Sequence, residues 1–341
     1  MKEIDLDALG LKREALVHDV VANSKAFGRL IRQDPPNQLG VPTQYLAMLA
    51  IERGDIDSAG KLIRYMRQEC DLIFDSMMVL WLNEILEFAD ETLGLGSFRT
   101  LMRVPREHIW ASLQRVGNDF LDDALLALSA GKFDQVDLAL GHGRRVYKTM
   151  GDEVVKFVQD ILTELANELG DDGPIAALRG PYDHIWRKRY AQWESLTGEQ
   201  RLQLSCEGMR AHFGGPTRQG EFRVDDEGLR FRMSFAGCGT GGVLRRGDIE
   251  TGEGPYLTVG TIKTPEAYSW GLTGMPWYCV HCSLYLEHWP VEETGVNRRP
   301  VIFVDEPDSP VTTEWLVYKE LSDTEVADYE RIWAKPPMST D

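Results

Sequence analysis

Apolar residues recur every three to four positions from about Leu11 to Leu169, which is the period of an amphipathic helix. Turn signals at Gly54-Asp55 and Gly131-Lys132 interrupt the pattern, and the proline-rich stretch from Gln33 to Pro42 separates the first predicted helix from the rest. The pattern therefore predicts an all-helical bundle over residues 1–172.

Part of this bundle looks duplicated. When the chain is shifted on itself so that Ala50 meets Ala127, the residues as far as Glu91 align with those as far as Glu168. Identical residues then pair at Gly54/Gly131, Asp57/Asp134, Arg67/Arg144, Asp75/Asp152 and Glu87/Glu164. The match predicts a repeated helix pair, neither copy of which buries its apolar stripe alone. A chance agreement of two amphipathic patterns is the alternative.

The pattern changes after Gly170-Asp171-Asp172-Gly173-Pro174, where glycine and proline mark a boundary. Helical periodicity returns briefly between Tyr182 and His212, and alternation typical of strands follows. Strands are predicted at residues 221–224, 229–235, 255–259, 300–304 and 315–318. Residues 173–341 are therefore expected to form an α+β domain with a mostly antiparallel sheet.

The composition describes an ordinary globular chain, with 341 residues, 43% hydrophobic residues and a formal net charge of −17. The acidic residues are spread over both halves, so the surface would repel phosphate backbones and anionic lipids. The chain has no basic patch of any extent, no apolar run of about 20 residues and an acidic start instead of a secretory signal. We expect a cytoplasmic protein with no nucleic-acid or membrane partner, and a homo-oligomer remains open.

The cysteines supply the candidate chemistry. There are five, an odd number without the regular spacing of a disulfide framework. Cys279 and Cys282 form a C-x-x-C pair, whose two thiols can reach one ion, and Cys238 lies upstream in a glycine-rich turn. With His281 as fourth ligand, the set matches a Cys3His zinc site. His288 and His212 are alternative fourth ligands, and an iron–sulfur cluster or a redox dithiol are alternative uses of the cysteines.

A helix continuing from Cys282 would bring His281 and His288 to one face, where either could move a proton beside Glu287. Solvated surface positions are the alternative for His288 and Glu287. Candidate substrate-binding residues are Thr240 and Arg245, near the glycine-rich turn, and the aromatic residues Trp270, Trp277 and Tyr278. The aromatic rings could wall a planar substrate and the guanidinium could hold a carboxylate, although aromatic core packing and a surface arginine explain them equally.

Two main hypotheses follow from the sequence. The first is a zinc-dependent hydrolase or lyase for a small, planar or carboxylate-bearing substrate, in which the ion keeps an open position. The second is a protein-interaction scaffold in which a closed Cys3His zinc site only stabilises the smaller domain. An iron–sulfur or thiol redox protein is a third hypothesis.

Overall fold

The computed structural model describes residues 3–74, 78–93, 119–248, 250–256, 260–304 and 312–335. Within these ranges the chain is a mixed helical and α+β protein with two antiparallel sheets. None of the helices in the described ranges has both the length and the apolar character needed to cross a bilayer.

A β-hairpin follows a short 3-10 turn at Arg13–Ala15, so the prediction of a helix from Leu11 onward is wrong for this segment. Strand β1 (Val21–Ser24) pairs antiparallel with β2 (Arg29–Arg32). The turn closes through a hydrogen bond from the amide of Gly28 to the carbonyl of Ser24 (2.9 Å), and Gly28 takes a φ of 64°. Glycine adopts this left-handed conformation without the penalty that a Cβ imposes.

Helices form most of the rest of the first half, as predicted. They are α1 (Thr43–Glu52), α2 (Ile56–Ile73), α3 (Val79–Thr92), α4 (Asp119–Ser129) and α5 (Phe133–Leu169).

The turns of the two helix pairs, α1–α2 and α4–α5, have the same hydrogen bonds. In the first turn the amide of Gly54 donates to Ile51 and that of Asp55 donates to Ala50 (3.0 and 2.8 Å). In the second turn the amides of Gly131 and Lys132 donate to Leu128 and Ala127 (3.0 and 2.9 Å). These residues are the ones that the sequence repeat aligns, so the local geometry agrees with the alignment.

Helical structure continues across the predicted boundary. Gly170 ends α5 with a φ of 72°, and α6 (Asp172–Pro181) begins directly after it. A π-helical turn at Tyr182–Trp186 leads into α7 (Arg187–Trp193), and α8 (Gly198–Ala211) follows.

The sheet of the second half contains four strands, β3 (Arg223–Asp226), β4 (Arg230–Phe235), β5 (Val301–Phe303) and β6 (Thr313–Tyr318). Their spatial order is β3-β4-β6-β5, and every pair of neighbours is antiparallel. This confirms the predicted antiparallel sheet with its early hairpin and late strand pair. Of the strand predicted at residues 255–259, Pro255 and Tyr256 lie outside any strand, and residues 257–259 are outside the described ranges.

Short helical segments fill the space between β4 and β5. They are α9 (Gly242–Arg246), a 3-10 turn at Ala267–Ser269, a second 3-10 turn at Trp277–Cys279, α10 (Val280–Ser283), a π-helical segment at Leu284–His288 and α11 (Trp289–Thr294). The last helix, α12 (Val326–Glu330), follows β6 and a 3-10 turn.

One hydrophobic cluster contains residues of both predicted domains, among them Leu62 and Ile161 of the first and Phe231 and Tyr285 of the second. The two parts also share a buried ion pair between Glu69 and Arg210, with nitrogen and oxygen 2.7 Å apart. The division of the chain at residues 172/173 stays a prediction.

Candidate metal and substrate site

The three cysteines of the predicted metal site line one small cavity. Cys238 follows β4, whereas Cys279 and Cys282 lie at the 3-10 turn and in α10. His281 lines the same cavity, whose volume is about 30 Å³. The fold thus brings the four predicted ligands, Cys238, Cys279, Cys282 and His281, to one place although they come from two separate stretches of the chain.

Glycines allow these stretches to approach each other. We call residues 237–242 the cysteine loop. A Cβ on Gly239 would lie 2.4 Å from the Cβ of His212, and a Cβ on Gly241 would lie 2.8 Å from the sulfur of Cys279. Both distances are shorter than van der Waals contact, so the loop packs against α8 and the C-x-x-C turn only because these positions lack a side chain.

The first turn of the C-x-x-C segment is anchored to α5. The amide of Tyr278 donates to Oε1 of Gln159 over 2.7 Å, and Tyr278 is buried. From α3, the indole of Trp81 donates to the hydroxyl of Tyr285 (2.8 Å) and packs against the ring of His281, with ring centroids 4.9 Å apart. Packing therefore fixes the orientation of the His281 ring.

His281 has a defined tautomer. Its Nδ1 lies 2.6 Å from the carbonyl oxygen of Tyr278, and because a carbonyl only accepts, Nδ1 carries the proton and donates. The lone pair then sits on Nε2, which is 3.4 Å from the sulfur of Cys282. Metal-bound histidines usually donate their other ring N–H to a carbonyl or carboxylate in this manner.

A second histidine, His212, has the same arrangement. It follows α8, and its Nδ1 donates to the carbonyl of Gly208 over 2.6 Å, which leaves a lone pair on Nε2. His212, Cys238, His281 and Cys282 line a second cavity of about 60 Å³ that adjoins the first.

Burial governs the protonation of these groups. It lowers the pKa of His212 and of His281 to about 4, so both imidazoles are neutral at pH 7. Burial also raises the pKa of Cys279 to about 12 and that of Cys282 well above its ordinary value. The thiols are therefore protonated unless a cation stabilises the thiolates, and a free reactive thiolate is not favoured.

The candidate ligands line the same cavity but are not arranged as a coordination shell. Within the described part of the chain, no group of three or more His, Cys, Asp or Glu side chains has metal-binding geometry. The contact that the structure shows for the sulfur of Cys238 is with the hydroxyl of Thr240, at 3.7 Å.

The predicted catalytic residues other than His281 lie elsewhere. Glu287 is fully buried in an ion pair with Arg331, and its Oε2 accepts from the indole N–H of Trp270 over 2.7 Å. His288 lines neither cavity. The physical reason is the π-helical segment at Leu284–His288, whose wider turn rotates His288 away from the face that carries His281.

The predicted substrate-binding residues divide in the same way. Thr240 and Tyr278 line both cavities, and Arg245 lines the smaller one, with its guanidinium 4.0 Å from the ring centroid of Phe303. Trp277 is buried and lines neither cavity. Trp270 lines neither cavity either, and its ring stacks on that of Phe303 with ring centroids 5.3 Å apart.

A much larger cavity, of about 460 Å³, adjoins the second one. Trp186, Met209, His212 and Trp315 belong to the walls of both. Ligand pockets of proteins typically fall between about 300 and 1,000 Å³. We call this large cavity the aromatic pocket. Sequence reasoning did not find it, because its walls come from segments far apart in the chain, and the only signal was the concentration of tryptophan after Gly180.

Comparison with known proteins adds no relative. No family model matches the chain, and no similar curated protein or solved structure was found.

Proposed function

We propose that the protein is a zinc-dependent enzyme of hydrolase or lyase type that acts on a small substrate held in the aromatic pocket. Cys238, Cys282 and His281 are the zinc ligands in this proposal, because they are the candidate ligands common to both small cavities. Of these two cavities, Cys279 lines only the one of about 30 Å³ and His212 only the one of about 60 Å³.

The observation that carries the proposal is the pairing of His281 and Cys282. Zinc binds sulfur at about 2.3 Å and nitrogen at about 2.0–2.1 Å, so two such ligands at a tetrahedral angle are about 3.6 Å apart. The Nε2 of His281 lies 3.4 Å from the sulfur of Cys282, and its Nδ1–H is already held by a carbonyl. Cys238, which lines both small cavities, is the third ligand of the proposal.

Two cysteines and one histidine leave the fourth position of a tetrahedral ion open, as in known catalytic zinc sites. A bound zinc ion would lower the pKa of a water to about 7 or polarise a substrate carbonyl. His212 is the proton acceptor in this scheme, since its Nε2 lone pair is available and its ring belongs to the wall of the aromatic pocket as well.

The alternative is a structural Cys3His site in which Cys279 closes the coordination. Substitution of single cysteines separates the two. We expect Cys282→Ser to lose zinc, measured as metal per chain by plasma mass spectrometry, and Cys279→Ser to retain it. Cys206→Ser is the matched control, because Cys206 is a buried thiol that lines none of these cavities. Zinc loss in Cys279→Ser would reject the open site.

Catalysis is tested with 4-nitrophenyl acetate as the probe substrate. The zinc-loaded protein should hydrolyse it faster than the chelator-treated protein, and His212→Gln should retain zinc while losing about 100-fold or more of this rate. Equal rates with and without zinc would contradict the proposed enzyme.

A further inference from the structure

The aromatic pocket contains a buried arginine. Arg299 is 4% exposed and lies over three tryptophan rings, with its guanidinium carbon 4.5 Å from the centroid of Trp315, 5.2 Å from that of Trp193 and 5.7 Å from that of Trp186. Its Nη1 donates to the hydroxyl of Ser205 over 3.1 Å.

The other side of the guanidinium makes no hydrogen bond of good geometry. Nε and Nη2 of Arg299 are buried, and neither forms such a bond with a residue that the structure describes. Within the same ranges, no carboxylate lies at ion-pair distance from Arg299. A buried guanidinium without an anion is costly, so its presence indicates that a negatively charged group binds there.

One more donor of the pocket lacks a partner. The indole Nε1 of Trp193 is buried without a hydrogen-bond partner in the described part of the chain. The hydroxyl of Tyr190 is buried beside Arg299, whose positive charge and hydrogen bonding oppose the rise that burial causes in the pKa of this hydroxyl. Arg299 and Trp193 thus present donors that an acceptor-rich ligand would satisfy together.

The remaining charges of the pocket are positive as well. Arg29 forms an ion pair with Glu207. Arg189 lies over Trp186, and burial and then the charge of Arg299 lower its pKa. No carboxylate belongs to the pocket wall formed by the described residues. An entering anion therefore meets no like charge on the described part of the pocket wall.

We propose that the aromatic pocket binds a planar aromatic carboxylate, whose two oxygens pair with Nε and Nη2 of Arg299 while its ring stacks among the tryptophans. These two nitrogens form one edge of the guanidinium, and such an edge matches a carboxylate in a bidentate geometry. Side-chain rotamers often change on binding, and such a change at Arg299 would open this edge to the pocket.

Because the pocket adjoins the candidate zinc site, we infer that aromatic carboxylates are the substrate class of the proposed enzyme. This part of the inference rests on the proposed function. Trp186 and Trp315, which pack on Arg299, also line the cavity of Cys238 and His281. A ligand anchored by its carboxylate at Arg299 can therefore direct its other end past His212 to the candidate zinc position.

The test measures binding of indole-3-acetate and benzoate to the full-length protein by isothermal titration calorimetry and tryptophan fluorescence. The neutral amides indole-3-acetamide and benzamide, and phenyl phosphate as an anion of different shape, are titrated in parallel. Each titration uses both zinc-loaded and chelator-treated protein. Arg299→Met removes the charge, and Arg298→Met is the matched control, because Arg298 is also buried but pairs with Glu194 and does not line the pocket.

We expect at least one of the two carboxylates to bind and to bind more tightly than its amide and than phenyl phosphate. Loss of a hydrogen bond to a charged group weakens binding by about 10- to 150-fold, and we expect this range for Arg299→Met and less than a threefold change for Arg298→Met. If Arg299→Met does not fold, as judged by circular dichroism, Trp193→Phe serves instead, since it keeps a ring and removes one donor; it should weaken binding several-fold.

Absence of carboxylate binding, equal binding of acid and amide, preference for phenyl phosphate, or unchanged affinity in the folded arginine or tryptophan variant would each overturn the inference. Failure of the proposed function has a different signature. If the protein holds no zinc yet binds the carboxylate through Arg299, the zinc enzyme is rejected and the carboxylate pocket stands. If zinc binds as proposed and the carboxylate does not, the pocket alone is rejected.

Discussion

Removal of Arg331 tests whether Glu287 is a structural or a catalytic carboxylate. The side chain of Glu287 is 0% exposed and that of Arg331 is 23% exposed, and the two form an ion pair. Glu287 also accepts from Trp270 over 2.7 Å and from Asn297 over 3.4 Å. The backbone amide of Val301 is a further neutral donor. Among the described residues, Arg331→Met therefore leaves the carboxylate with neutral donors and no ion-pair partner.

Breaking a buried ion pair lowers the free energy of unfolding by about 3–5 kcal/mol. Because Arg331 is partly exposed, we expect a loss of about 3 kcal/mol for this pair. At about 2.1 cal/mol/K per residue, an unfolding entropy of about 0.7 kcal/mol/K applies to this chain, so the midpoint of thermal unfolding should fall by about 4 °C. The exposed pair between Arg13 and Glu52, with side chains 51% and 54% exposed, provides the control. Arg13→Met should change the midpoint far less, because exposed pairs contribute little.

The effect should depend on pH. Burial raises the pKa of Glu287, and Arg331 opposes this rise. A carboxyl whose pKa is higher in the folded state stabilises the fold below its unfolded pKa and loses that contribution as pH rises toward the folded pKa. Without Arg331 the folded pKa rises further, so the variant should be destabilised more at pH 8 than at pH 5.

Scanning calorimetry of both variants at the two pH values measures these midpoints. A midpoint of Arg331→Met that matches the wild type at pH 8, or a larger destabilisation at pH 5 than at pH 8, would refute the structural role of Glu287. Glu287→Met combined with Arg331→Met should recover most of the loss, because replacing both charges removes the unpaired group.

Two further predictions concern α5. Gly143→Ala should lower the midpoint of thermal unfolding, since a Cβ there would lie 1.8 Å from the ring of Phe120. Gly141→Ala is the control. Its Cβ would meet only a guanidinium nitrogen at 3.6 Å, so this variant should raise the midpoint, because alanine is favoured over glycine in a helix. Lys148→Met should weaken zinc binding about tenfold in a competitive chelator titration, because Lys148 donates to a carbonyl of the cysteine loop over 2.9 Å and so positions the loop. Lys156→Met is the control on the same helix. It removes ion pairs with Glu153 and Glu253 and should leave the zinc affinity unchanged.

Local signals predicted the fold where they agreed with the tertiary structure. The hairpin of β3 and β4 was predictable because its strands alternate and Asp226 and Gly228 form the turn, with the amide of Gly228 donating to Asp226 over 2.9 Å. The first hairpin was missed because Val20, Val21 and Ile31, all buried, fit a helical period as well as a strand period. The strand conformation of Val21 and Ile31 depends on pairing and on the buried ion pair of Arg32 with Asp34.

The same limit applies to the site. Spacing alone indicated that Cys279, Cys282 and His281 lie together, and the glycine-rich turn was the signal that added Cys238. His212 was one of the alternative fourth ligands, and the structure shows that it lines a cavity together with Cys238, His281 and Cys282. Gly239 allows the two segments to come into contact. The environment of Arg299 was not predictable, since its tryptophans come from two separate parts of the chain, the helical stretch of Trp186 and Trp193 and the strand of Trp315.

X-ray absorption at the zinc edge of the zinc-loaded protein, combined with the anomalous signal of a crystal, tests the central claim most directly. The account predicts one ion with two sulfur ligands at about 2.3 Å and one protein nitrogen at about 2.0 Å, plus a water, located between Cys238, Cys282 and His281. A preparation with one zinc ion per chain but no ion at this place would contradict the account. So would an ion bound by four protein ligands that include Cys279.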